Sequence, residues 1–160
     1  MSNDMDDLRD LYRELILDHA KKPRHFGKLA EATHVAEGIN PLCGDKLQMY
    51  FSVDADNKIS DARFEGSGCA ISVASASLLT ETVIGLDTER ALQFFAAMVR
   101  RLSGQPDERT SSGVIDDIDL GKLRALEGVK EYPSRVKCAT LAWHALNSAL
   151  RDIRQPVSTE

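Results

Sequence analysis

The chain has 160 residues, 42% of them hydrophobic and 28% charged, with a net charge of -5 and a pI near 5.4. Such a length suits a single domain spanning residues 1–160 that buries enough apolar surface to fold without disulfide staples, and the composition is that of a soluble globular protein. No apolar run approaches the ~18 residues of a membrane span, and the acidic balance lacks the basic face that a phosphate backbone requires. Neither a membrane nor a nucleic acid is therefore expected as a partner. The opening MSNDMDDLRD is acidic where a secretory signal is basic and then apolar, so the expected location is cytoplasmic.

Leu8, Leu11, Tyr12, Leu15, Ile16 and His19 recur at helical spacing and stop before Pro23, which predicts an amphipathic helix over about residues 5–21. His19 falls near its apolar stripe and reads as a packing histidine. Leu47, Met49, Phe51 and Val53 alternate with Lys46, Gln48, Tyr50 and Ser52, the period of a strand buried on one face. The turn residues Asp54-Ala55-Asp56-Asn57 bring back a second strand, about Lys58 to Glu65, and His34 to Gly38 supply a third.

Small and apolar residues from Cys69 to Gly85 predict a closely packed helix that starts at Cys69 or just after it. Ala91, Phe95, Met98, Val99 and Leu102 mark another over roughly 88–102. The polar 103–119 stretch reads as a surface loop, and a short helix follows over Leu120 to Leu126. The last helix opens at Pro133-Ser134 and repeats Val136, Ala139, Trp143, Leu146, Leu150 and Ile153. This order predicts an α+β domain, a small antiparallel sheet of about three strands with helices packed on one face.

Three cysteines are an odd number, which points away from a disulfide framework and toward metal binding or sulfur chemistry. Cys43 lies in the turn Asn40-Pro41-Leu42-Cys43-Gly44-Asp45, Cys69 opens a helix after Gly66-Ser67-Gly68, and Cys138 sits in the early turns of the last helix near Arg135 and Lys137. A helix N-terminus and neighbouring cations favour thiolate over thiol, so all three are expected to favour the charged form. Tetrahedral zinc takes four ligands from Cys, His, Asp and Glu, and Asp45 beside Cys43 is the natural fourth. No C-x-x-C pair is present, so the alternative of small buried cysteines stays open. A Cys/His nucleophilic pair using His34 or His144 is the enzymatic competitor. His144 is six residues beyond Cys138, a step that does not share a helix face. The H-x-E and P-C-x-x-C signature of a zinc deaminase is missing.

At these motifs the chain resembles the SufU branch of the IscU/SufU-type iron–sulfur cluster assembly proteins, a group that includes NifU N-terminal-like domains. The resemblance rests on Leu11-Tyr12-Arg13, Asp18-His19, Pro23-Arg24, the Asn40 to Asp45 motif, Gly66 to Ser72, and Tyr132-Pro133-Ser134-Arg135-Val136-Lys137-Cys138-Ala139-Thr140-Leu141-Ala142-Trp143. It implies an α+β fold with the cysteines at one end and metal ligands at Cys43, Asp45, Cys69 and Cys138. IscU scaffolds place a histidine before the third cysteine and a Leu-Pro-Pro-Val-Lys motif upstream, whereas here Lys137 and Gly128-Val129-Lys130-Glu131-Tyr132-Pro133 stand there. The long step from Cys69 to Cys138 matches the insertion of the SufU branch.

The resemblance implies a zinc-dependent sulfurtransferase that accepts persulfide sulfur from a cysteine desulfurase of the SufS type and serves downstream Suf assembly proteins. The alternative is a scaffold that assembles an iron–sulfur cluster on the same residues and hands it on. Cys43, on its loop, is the expected sulfur acceptor, and Lys137 the expected charge support, with Arg135 beside it.

Overall fold

The computed structural model describes residues 4–41, 43–103, 121–152 and 157–158. Leu42, the 104–120 stretch with Leu120, and Ile153 lie outside the described residues, as do the side chains of Leu8 and Leu11. The chain runs α1 (Asp4–Lys21), β1 (His34–Asn40), β2 (Asp45–Val53), β3 (Ile59–Ser67), α2 (Ala70–Val83), α3 (Thr88–Ser103), a 3₁₀ helix (Gly121–Glu131), α4 (Pro133–Leu150) and β4 (Val157–Ser158). The sheet order is β3-β2-β1-β4. Its first three strands are antiparallel, as expected, and β4 adds a parallel edge through Gly38↔Val157 and Ile39↔Ser158. Two residues are too few to carry a period, so sequence pattern gives no sign of β4.

The alternation of β2 sorts its side chains as the sequence suggests. Leu47, Met49 and Phe51 are fully buried on the inner face, while Lys46 is exposed and Gln48 and Ser52 are half-buried on the outer one. Tyr50 is the exception on the outer side. Its hydroxyl donates to Glu65 at 2.5 Å, and burial, reinforced by that carboxylate, pushes its pKa up to about 12.

On the inner face lie α2 and α4, both in contact with the sheet. The α2 helix is apolar or small on nearly every side, with Ser72, Ala74, Ser75, Ala76 and Ser77 all buried. Small residues let backbones approach closely: Ser75 Oγ donates to the Ala139 carbonyl of α4 at 2.6 Å. Trp143, fully buried, fills the centre of the core that α4 shares with the sheet. Among the described residues, no helix is long and apolar enough to cross a membrane.

His19 joins α1 to α2. It is 1% exposed, its Nδ1 lies 2.7 Å from Ser77 Oγ, and its Nε2 lies 3.6 Å from Glu81 Oε1. The Arg24 N–H also donates to Ser77 Oγ, at 2.9 Å, so this one hydroxyl joins the end of α1, the segment after it and α2. Burial holds the His19 pKa below the usual histidine range. It is a packing histidine, as its place near the apolar stripe suggests.

The passage from β3 to α2 depends on Gly66, whose φ of +134° suits glycine and whose added Cβ would meet the Lys46 carbonyl oxygen at 2.1 Å. Backbone, not a pliable side chain, blocks that position. Gly66→Ala is expected to cost about 3 kcal/mol, a fall of roughly 10 °C in Tm for a chain of this size. Gly44→Ala, at φ +73° with nothing within 4 Å, is expected to cost only about 1 kcal/mol. Thermal melts of the two variants read the difference, and equal melting temperatures would contradict it.

Candidate metal centre

Three separate pieces of chain deliver the site. The β1–β2 hairpin ends with the pair Asn40↔Asp45, and the Cys43 N–H donates to the Asn40 carbonyl at 3.2 Å to close the turn. Cys43 is half-buried on that turn, and Asp45, 1% exposed, begins β2. Because Lys46 pairs with Ser67, the chain leaving β3 passes directly beside Asp45. There the Cys69 N–H donates to Asp45 Oδ1 at 2.8 Å. Cys69 is the extended N-cap residue of α2, with φ -73° and ψ 168°. The third piece is α4, which carries the fully buried Cys138.

The ligand atoms of Cys43, Asp45 and Cys138 all lie within 4.8 Å of one another, and the two sulfurs are 3.2 Å apart. Cys69 stands outside that tight group, tied to it by its backbone bond to Asp45 and by a thiol contact that contributes to the raised pKa of Cys138. Gly68 is required here by close approach: a Cβ would meet Asp45 Oδ1 and Ser72 Oγ at 2.5 Å each. Asp45 Oδ2 is buried and has no hydrogen-bond partner among the described residues. A buried carboxylate oxygen facing thiols is costly unless a cation takes it up, and three thiols with one carboxylate are a donor set that zinc accepts. The residues fit a metal.

One expectation needs correction. The surroundings of all three cysteines were to favour thiolate, but burial, followed by contacts with Cys43, Asp45 and Cys69, pushes the Cys138 thiol well above the usual range. Desolvation outweighs the nearby cation. That cation is the Arg135 guanidinium, whose pKa is raised first by its bond to Cys138 and then by the charge of Cys69. Arg135 lies three residues before Cys138 and shares its helix face, whereas the adjacent Lys137 is turned about 100° away. Lys137 is half-buried on α4.

Histidines stand apart from this cluster. His144 packs edge-on against Phe95 at 5.3 Å, with its pKa lowered by burial, and His34 Nδ1 is 2.7 Å from Thr33 Oγ1. Neither supports a Cys/His pair. Sequence reasoning passed over Asn40, whose Nδ2 is 3.6 Å from Cys138 Sγ, and Gly68. The signal for Gly68 was its place one residue before a cysteine at a helix start. For Asn40 it was a polar side chain ending a strand beside the Cys43 turn.

Comparison with known proteins identifies the family. The NifU-like N terminal domain family matches residues 11–139. The zinc-dependent sulfurtransferase SufU of Bacillus subtilis is 41% identical over 143 residues, covering 89% of this chain and 91% of that protein. The iron–sulfur cluster assembly scaffold protein IscU of Thermotoga maritima is 42% identical over 149 residues, covering 91% and 96%. A crystal structure from Fervidobacterium islandicum, titled as an iron–sulfur cluster assembly scaffold protein for the SUF system, superposes with a TM-score of 0.72 at 36% identity, covering 86% of this chain and 94% of that one. With its cysteine motifs gathered at one end of the same fold, the chain belongs to the NifU-like N-terminal domain family, within the IscU/SufU group.

Proposed function

We propose that this chain is a zinc-dependent sulfurtransferase that accepts persulfide sulfur from a cysteine desulfurase for iron–sulfur cluster assembly. The observation that carries the reading is the convergence of Cys43, Asp45 and Cys138 within 4.8 Å around an unpartnered, buried Asp45 oxygen. The name of the Bacillus subtilis relative supplies the chemistry. In this reading Cys43, Asp45, Cys69 and Cys138 hold one zinc ion, and the partner is a desulfurase of the SufS type, with downstream Suf assembly proteins receiving the sulfur in the cytoplasm. The whole of residues 1–160 acts as one domain.

Bound zinc supplies the positive charge that keeps three thiols deprotonated near neutral pH, including Cys138, whose burial otherwise favours the thiol. Cys43 is the acceptor because it sits on a turn, while Cys69 is held by the start of α2 and Cys138 within α4. Its freed thiolate attacks the outer sulfur of the desulfurase persulfide. The S–S bond of that persulfide breaks, the desulfurase cysteine leaves as a thiolate with the electron pair, and the transferred sulfur remains on Cys43. The exchange requires no external oxidant or reductant. Arg135 and Lys137 supply positive charge as the negative persulfide approaches.

A second reading, a scaffold on which an iron–sulfur cluster forms on the same residues, draws on the name of the Thermotoga maritima relative. Thiolates bind iron as well as zinc. Brown protein with stoichiometric iron and sulfide would favour it.

Mass spectrometry after incubation with desulfurase and cysteine tests the acceptor. Added sulfur is expected on the peptide carrying Cys43, and Cys43→Ser should lose it along with any stimulation of the desulfurase. Sulfur found on Cys69 or Cys138 with Cys43 unlabelled would overturn the assignment. Zinc retention tests the ligands. Asp45→Ala should weaken retention less than any cysteine substitution, and Gly68→Ala should resemble Asp45→Ala by displacing the carboxylate that its Cβ would meet at 2.5 Å. Wild-type retention in Gly68→Ala would contradict a ligand role for Asp45.

A further inference from the structure

Asn40 closes β1 opposite Asp45 and is 0% exposed. Its backbone carbonyl accepts the Cys43 N–H at 3.2 Å, and its Nδ2 donates to Cys138 Sγ at 3.6 Å. One residue therefore ties the turn that carries one thiol to the helix that carries another. A primary amide sealed from water is unfavourable unless its polar atoms are satisfied, yet Asn40 Oδ1 has no hydrogen-bond partner among the described residues. Packing does not account for it, because an apolar side chain of similar volume would fill the space without orphaning an acceptor. What Asn40 offers beyond volume is an N–H aimed at sulfur.

The three sulfurs have different surroundings. Cys138, fully buried, receives Asn40 Nδ2 and the Arg135 guanidinium. Cys69 Sγ has Ser72 Oγ at 3.9 Å, but that hydroxyl donates to the Cys69 carbonyl at 3.0 Å. Cys43 Sγ, half-buried, has the Cys138 thiol at 3.2 Å and no N–H hydrogen-bond donor among the described residues, and of the three sulfurs it acts least on the Arg135 guanidinium. A hydrogen bond to a thiolate draws charge off the sulfur, which makes it less nucleophilic and steadier as a ligand, as outer partners do at other metal centres. Nitrogen must be the end facing a thiolate, since a carbonyl oxygen there would set a lone pair against negative charge.

We propose that Asn40 is a positioning residue that reserves Cys138 as the thiolate that stays bound and so leaves Cys43 as the one that reacts. The inference rests on the reading of the cluster as a thiolate metal centre for sulfur transfer. It adds the reason why one of three chemically identical side chains is chosen.

Alkylation of each cysteine tests this without the desulfurase. Zinc-loaded wild type, Asn40→Asp and Asn40→Ala are treated with iodoacetamide, and the three cysteine peptides are followed by mass spectrometry. Asn40→Asp keeps the size of the side chain and removes the N–H, and Asn40→Ala removes it without adding charge. In wild type Cys43 should react faster than Cys138, and in either variant the rate of Cys138 relative to Cys43 should rise about tenfold. The variants should also release zinc to a chelator faster than wild type. An unchanged ratio in the folded variants overturns the proposal, and Asn40→Asp alone decides it if Asn40→Ala does not fold. Sulfur transfer stands or falls separately, on whether wild-type Cys43 acquires sulfur from the desulfurase. A chain that alkylates as expected yet accepts none would keep the role of Asn40 and remove the transfer.

Discussion

Asp45 Oδ1 accepts the Cys69 N–H at 2.8 Å, and the arrangement of the whole site follows from that contact. The β1–β2 hairpin and the start of α2 are far apart in sequence, and here a carboxylate at the head of one strand satisfies a backbone donor at the N-terminus of a helix. Such an N–H has no partner within its own helix and gains most from an ionised acceptor. The bond uses one oxygen of Asp45 and leaves the other, Oδ2, buried without a hydrogen-bond partner among the described residues. Gly68 makes the approach possible by lacking a Cβ. A structural hydrogen bond thus fixes the carboxylate within 4.8 Å of the Cys43 and Cys138 sulfurs.

The rest of the fold holds this corner rigid. Small side chains along α2 allow it to lie close to α4, and the bond from Ser75 to the Ala139 carbonyl sits one residue from Cys138. Cys138 is consequently the least exposed of the three cysteines, and Cys43, on its turn, is half-buried. That inequality matters for sulfur transfer. In the proposed reading, a centre that held all its thiolates equally would exchange sulfur poorly, because thiol–disulfide exchange needs a nucleophilic thiolate that is accessible.

Much of this was legible in the sequence because burial imposes a period. The alternation of β2, the stripe of α4 and the small-residue run of α2 follow from which faces meet the core, and the elements appear within a few residues of where those patterns place them. The sheet edge was not legible, since β4 is two residues long. The short helix expected over Leu120 to Leu126 is a 3₁₀ helix over Gly121–Glu131, 11 residues long, whereas runs beyond three or four residues are uncommon for this conformation and nothing in the composition announces one. At the site, motif order marked the cysteines and Asp45. Helical rotation gives Arg135, three residues before Cys138, the face that reaches that thiol. The raised pKa of Cys138 was beyond sequence as well, since it depends on desolvation by a core assembled from distant segments.

A metal centre of three thiolates and one carboxylate is the claim on which the functional reading stands, and X-ray absorption at the zinc edge of purified protein measures it directly. About one zinc per chain is expected, with three sulfur neighbours near 2.3 Å and one oxygen near 2.0–2.2 Å. Asp45→Ala should keep the sulfurs and lose the carboxylate oxygen. A zinc ion surrounded chiefly by oxygen and nitrogen, or a protein that takes up no zinc when all three thiols are reduced, would contradict it.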